Sequence, residues 1–188
     1  MSCVLHALDR ASPDRADRTL VLGCGSLGLA MALAVCADST LPRVQMWDIS
    51  AARRSAINKG SNGRAVASEP AMDYDLVFDL TGQPDGLRDA LTRVRSGGRV
   101  VSMSHLDGYG DTSFVLPMLT RRDVIFTVSY LNGHCGHFVQ ASSVIRRQWH
   151  TGWTDAFAIH PLSGLPHAMA NRRSATACKD LVQCFKNG

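Results

Sequence analysis

Apolar and polar positions follow two alternating patterns along most of the chain. Residues Thr19 to Leu22 form a continuous, partly β-branched apolar run, as expected of a strand buried on both faces. A glycine turn follows, and then Ser26 to Ala37, rich in Ala and Leu and suited to a buried helix. Val44 to Trp47 predicts a second short strand ending at Asp48, and Ala51 to Asn58 a second helix. Arg64 to Ala67 reads as a weak third strand and Asp75 to Asp79 as a clearer fourth, followed by Thr81-Gly82 and a helix over Asp85 to Arg93. Gly97-Gly98 is expected to turn the chain into a fifth strand, Arg99 to Met103. A short helix over Ser113 to Thr120, a sixth strand over Val124 to Ser129 and an amphipathic helix over Phe138 to Arg147 complete the series.

Strands alternating with helices at this pitch imply an α/β fold, a doubly wound parallel sheet with helices on both faces. No internal repeat, low-complexity tract or long linker interrupts residues 19–148. The last forty residues read differently. They hold a Trp-rich turn, a helix over Leu162 to Ala170 and a terminal apolar segment, Leu181 to Phe185.

At 188 residues, 45% hydrophobic and 19% charged, the chain has the size and composition of one globular domain. Its longest apolar stretch, Thr19 to Ala37, is broken by Gly23, Gly25, Ser26 and Gly28, which argues against a membrane span. The N-terminus shows no signal-peptide pattern, so a cytoplasmic protein with no membrane partner is expected. The net charge of +4 comes from scattered arginine pairs rather than a dense run. That distribution suits an anionic small ligand better than nucleic acid. Six cysteines contain no C-x-x-C pair and read as reduced thiols.

Gly23 to Gly28 carries the chemistry. It matches G-x-G-x-x-G directly after a strand and at the opening of a helix. Gly23 allows a tight turn, Gly25 lets the backbone approach a pyrophosphate, and Gly28 permits close packing of helix on strand. Ser26 and Leu27 open the helix, whose unpaired N–H groups and dipole favour phosphate. Asp48, twenty residues beyond Gly28, ends the second strand, where a carboxylate can accept both hydroxyls of an adenine ribose. Its charge would repel a 2′-phosphate and so favours NAD over NADP. Arg53 and Arg54 leave that preference open, since a guanidinium there could pair with a phosphate or lie over the adenine.

Residues Ser2 to Phe185 resemble the C-terminal part of a medium-chain, zinc alcohol dehydrogenase-type protein. The resemblance is carried by Cys3 to Arg10, Gly23 to Gly28, Asp48, Asp75 to Gly82, and Asp85 to Ser102 with its Ser96-Gly-Gly-Arg-Val-Val-Ser run. It implies a six-stranded Rossmann-type sheet binding NAD(H), with the nicotinamide end near Thr81, Gly82, Met103, Ser104, His105, Ser129 and Tyr130. It also implies three parts: residues 1–18 as a leading helix and linker, 19–150 as the NAD-binding domain, and 151–188 as a segment that returns to the catalytic domain. In that family an N-terminal domain supplies the zinc ligands and most of the substrate pocket, so zinc is not expected here and a missing catalytic half is a possible partner. The sixth strand, Val124 to Ser129, is expected at the sheet edge and to pair with its copy in a homodimer.

Other readings stand beside this one. His134, Cys135 and His137 form the only local cluster of metal-ligand types and read as loop residues. Tyr-x-x-x-Lys, G-x-S-x-G and P-loop patterns are absent. A SAM-dependent methyltransferase also uses a glycine turn and an acidic residue after the second strand, but it does not require Gly28. A non-catalytic NAD(H)-binding or interaction module is the remaining alternative.

Overall fold

The structure, a computed structural model, describes residues 1–104, 111–130, 135–148, 152–170 and 177–183. Its centre is a parallel sheet of β1 (Thr19–Leu22), β2 (Val44–Trp47), β3 (Ala65–Ala67), β4 (Tyr74–Asp79), β5 (Val94–Ser102) and β6 (Ile125–Val128), in the order β3-β2-β1-β4-β5-β6. The chain moves outward from β1 in one direction and then from β4 in the other. The point where the order reverses lies between β1 and β4, and open α/β sheets bind ligands beyond the strand ends at such a point. This is the doubly wound Rossmann-type architecture expected from the sequence.

Successive side chains of the central strands point to opposite faces, and both faces are covered. Val21, Met46, Leu76 and Phe78 pack with α1 (Ser2–Ala11), α2 (Ser26–Ala37) and α3 (Ala51–Gly60). Leu20, Leu22, Val77 and Val100 pack on the other face with α4 (Pro84–Arg93), joined by partly buried residues of α5 (Val115–Arg122). In α2 the buried residues lie all around the axis, because β2, β3 and two further helices surround it. α1 buries Val4, Ala7, Leu8 and Ala11 at helical spacing and rests on α2 and α6 (Cys135–Gln148).

Three expectations need correction. Gly97-Gly98 does not precede the fifth strand but lies inside it, where the pairing with β4 shifts register between Tyr74 and Leu76. Gly97 takes φ +69°, and a Cβ on Gly98 would come within 2.6 Å of Val94 Cγ2, so the pair forms an irregularity that only small residues permit. The helix expected from Phe138 begins three residues earlier, at Cys135.

The third correction concerns the C-terminal region, which holds a strand the pattern did not predict. β7 (Phe157–Pro161) pairs in parallel with β8 (Lys179–Gln183), and α7 (Leu165–Ala170) lies between them in sequence. The terminal apolar segment expected over Leu181 to Phe185 thus pairs with β7 through Leu181 to Gln183; residues 184 and 185 lie outside the described residues. Trp153 anchors this unit: it is 3% exposed and fills the space above Gly60, where a Cβ would meet its ring at 2.4 Å. No helix among the described residues is long and apolar enough to cross a membrane.

Candidate functional site

β1 delivers the glycine turn to the switch point. Gly23 sits at φ +100°, donates its N–H to the Trp47 carbonyl at 2.7 Å, and lies so close to Leu80 that a Cβ would meet its carbonyl at 3.0 Å. Gly28 packs on Gly23, and a Cβ there would approach the Gly23 oxygen to 2.0 Å. Gly25, by contrast, has nothing within 4 Å of where its Cβ would be, so the turn is tight on its protein side and open on its outer side. Gly25 also caps α2, whose first turn has no side-chain cap and no acidic residue. The early N–H groups of that helix thus face the open side with the positive end of its dipole.

Asp48 is 8% exposed and is fixed by two backbone donors, Cys24 N–H and Ser50 N–H, each at 2.8 Å. A carboxylate offers about four lone-pair positions, so these bonds orient it and leave acceptor capacity for a ligand hydroxyl. Arg53 Nη1 stands 3.7 Å from Asp48, and its Nε donates to the Ala177 carbonyl at 3.1 Å. Arg54 lies over the Trp47 ring at 4.4 Å and donates to the Asp48 carbonyl. Burial and then the Asp48 charge push the Cys24 thiol well above its ordinary range. Burial chiefly pushes Cys178 up to about 11, with Arg53 opposing and Asp48 adding. Burial thus favours the protonated form of both thiols.

The other end of the site is organised by a residue to which sequence reasoning assigned no role. Asp79 ends β4 fully buried and accepts from Thr81 N–H at 3.0 Å, Thr81 Oγ1 at 2.6 Å, Ser102 Oγ at 3.1 Å and Ser104 Oγ at 3.3 Å. Ser104 Oγ in turn accepts the Gly82 N–H at 3.0 Å, with Gly82 at φ +66°. One buried carboxylate therefore ties the loop after β4 to the end of β5, and its cost of burial is offset by four donors. The only visible signal was an apolar strand ending in Asp before Thr-Gly.

A groove of about 990 Å³ runs across these strand ends. Gly23, Gly25, Ser26, Asp48, Arg53 and Thr81 line it. The remaining predicted residues lie behind or beside it. Leu27 packs into the core, Gly28 and Gly82 shape the turns, and Met103 is partly buried. Ser129 is buried, with its N–H on the Ser102 carbonyl at 2.9 Å, and Tyr130 is about half exposed. His105 lies outside the described residues. The second wall, which the sequence did not reveal, comes from α7 and residues 177–182.

The local ligand cluster is not assembled. His137 is 1% exposed and its Nε2 contacts Asp9 Oδ2 at 2.6 Å, whereas Cys135 is exposed and His134 lies outside the described residues. Among the described residues no group of three or more His, Cys, Asp or Glu is placed to hold a metal ion.

No protein-family model matches the chain. Solved structures do. A protein described as a zinc-binding dehydrogenase from Sinorhizobium meliloti 1021, bound to NADP, matches with a TM-score of 0.77 and 18% identity, over 96% of this chain and 56% of its own. The Escherichia coli L-idonate 5-dehydrogenase matches with a TM-score of 0.76 and 16% identity, over 96% of this chain and 54% of its own. A short chain alcohol dehydrogenase from E. coli CFT073, complexed with NADH, matches with a TM-score of 0.74 and 16% identity, over 97% and 56%. The chain shares the fold of the corresponding part of these proteins. The chain spans little more than half the length of these proteins, and nearly all of it is accounted for by the shared part.

Proposed function

We propose that the chain binds NAD(H) as the cofactor-binding part of a medium-chain alcohol or polyol dehydrogenase-like oxidoreductase. The observation that carries this reading is the asymmetry of the glycine turn. Two of its glycines are too close to backbone for any side chain, while Gly25 opens onto the groove beside Asp48. That cradle suits a pyrophosphate: Gly25, Ser26 and Leu27 would receive it at the α2 N-terminus, and Asp48 would accept the adenine ribose hydroxyls. The loop held by Asp79, with Thr81 and Gly82, and the ends of β5 and β6 would place the nicotinamide. When bound, the cofactor supplies hydride acceptance or donation at nicotinamide C4. The protein's part is to orient the cofactor and to fix Asp48 as an acceptor.

Substrate polarisation and proton relay are assigned to a catalytic half outside residues 1–188, and zinc to that half rather than to these residues. The solved structures that match are roughly twice as long, which supports that division. Two copies of the chain associate through β6, the end strand of the sheet, where Ile125 is 59% and Val128 37% exposed. A cytoplasmic setting keeps the cysteines reduced.

Calorimetry with NAD, NADH, NADPH and S-adenosylmethionine tests the reading. NADH is expected to bind more tightly than NADPH. Replacing Asp48 with Asn or Ala should weaken NADH by about tenfold or more, since a lost bond to a charged acceptor costs roughly 1.5–3 kcal/mol, and should narrow the gap to NADPH. Binding of S-adenosylmethionine alone, or of NADPH at least as tightly as NADH, would overturn it.

A further inference from the structure

The arginine pair after Asp48 leaves the choice between NAD and NADP open in the sequence, and the fold closes it through a distant segment. A 2′-phosphate brings close to two negative charges to the place where Asp48 already stands, so it needs a cation able to offer parallel N–H donors. Arg54 is committed elsewhere, stacked on Trp47 and bonded to the Asp48 carbonyl. Arg53 is better placed. It stands in the first turn of α3, where Ser50 caps its N–H and the helix N-terminus favours an anion. Yet its Nε, one arm of the side-on guanidinium fork, is spent on the Ala177 carbonyl, and Nη1 faces Asp48.

Ala177 is 124 residues away in sequence and is buried: it is 8% exposed, and the adjacent Cys178 is 4% exposed and packs into the main core. The Ser26 hydroxyl reaches the Cys178 carbonyl at 3.5 Å, so the segment touches both the α2 and the α3 ends of the groove.

We propose that residues 177–178 act as a selectivity clamp, holding Arg53 against Asp48 and thereby setting the preference for NAD(H) over NADP(H). The inference rests on the NAD(H)-binding reading above. With the clamp seated, Arg53 offsets part of the Asp48 charge and cannot present the side-on fork that includes Nε to a phosphate. With the clamp released, the same arginine becomes a 2′-phosphate ligand. NADP(H) therefore binds only at the cost of undocking the segment, whereas NAD(H) leaves it in place.

Amide hydrogen exchange on the full wild-type chain tests this directly. Saturating NADPH should speed exchange across residues 177–183, and NADH should leave it unchanged or slow it. Equal effects of the two cofactors overturn the clamp. Failure of both to bind by calorimetry instead overturns the underlying NAD(H) reading, so the two failures are distinguishable.

A second test uses Cys178→Asp, which puts a carboxylate into a buried place beside Asp48 and should expel the segment. The NADPH-to-NADH affinity ratio should then rise at least about fivefold, or roughly 1 kcal/mol, and adding Arg53→Gln should remove the gain. An unchanged ratio with a segment shown by exchange to be released would refute the proposal. So would Arg53→Gln lowering NADPH affinity equally in both backgrounds. Should Cys178→Asp fail to fold, the wild-type exchange comparison still decides the matter.

Discussion

The parallel sheet and the C-terminal two-stranded unit use strands of similar length, but they are held by different means. All four residues of β1 and five of the six in β4 are buried, whereas none of the five in β7 is. The sheet is stabilised by apolar burial on both faces, which is non-directional and sums over many side chains. The C-terminal unit depends on a few anchors: Trp153 over Gly60, Ala156 and Cys178 in the main core, the Arg53–Ala177 bond, and the partly buried His160–Asp180 contact at 2.8 Å between β7 and β8. A region with few apolar contacts can detach without unfolding the rest. The groove lies between a rigid wall and a weakly held one, an arrangement that allows a ligand to select the position of the weaker wall.

Substitutions should expose this difference in order of size. Phe78→Ala empties a fully buried site in β4 and should cost about 3–5 kcal/mol, whereas Ile159→Ala in β7 should stay within about 0.5 kcal/mol. Urea denaturation compares the two, and similar losses would mean that the C-terminal unit is part of the main core.

Within the site itself, Gly28→Ala drives a methyl group into the Gly23 carbonyl and should destabilise by roughly 1–3 kcal/mol. Gly25→Ala meets nothing and should cost about 1 kcal/mol or less in stability while still weakening NADH binding. Thermal melts with and without NADH separate packing loss from binding loss. Stability losses of equal size would show that the turn has no open side.

At the sheet edge, Ile125→Lys should convert a dimer to a monomer in light scattering at tens of micromolar, with little change in stability, because a charge on an exposed edge blocks strand pairing. A wild-type monomer would eliminate the interface.

The smallest effect is electrostatic. Asp75 bonds the Arg95 guanidinium at 2.6 Å and the Arg18 N–H at 2.8 Å, and the first of these chiefly holds its carboxyl below the usual carboxylate range. Because the folded value is depressed, its contribution is present above the unfolded value of about 3.9 and is lost as pH falls through the folded one. Asp75→Asn should lower the melting temperature slightly at neutral pH and flatten its fall below pH ~4; an unchanged acid limb would remove Asp75 from the account.

What the sequence determined by itself was local. A nearly apolar β1, a glycine turn and an Ala-rich helix can be satisfied only by a buried strand packed closely on a buried helix, so the fold class and the tight turn at Gly23 to Gly28 were readable. Positions whose surroundings come from distant residues were not readable. Gly97-Gly98 looked like a turn because an irregularity inside a strand depends on the register of β4. His137 read as a loop residue because Asp9, 128 residues earlier, is what holds its ring in a buried helix. Asp79 carried no mark of its four donors, which lie as far away as Ser104. β7 was invisible because its burial pattern is weak and its parallel partner follows a whole helix later. The Arg53 partner could not be read from the sequence because the Ala177 carbonyl lies 124 residues away. Only the tertiary structure decides such cases, because a hydrogen bond or a cavity belongs to two places in the chain at once, and the pattern around either one contains half of it.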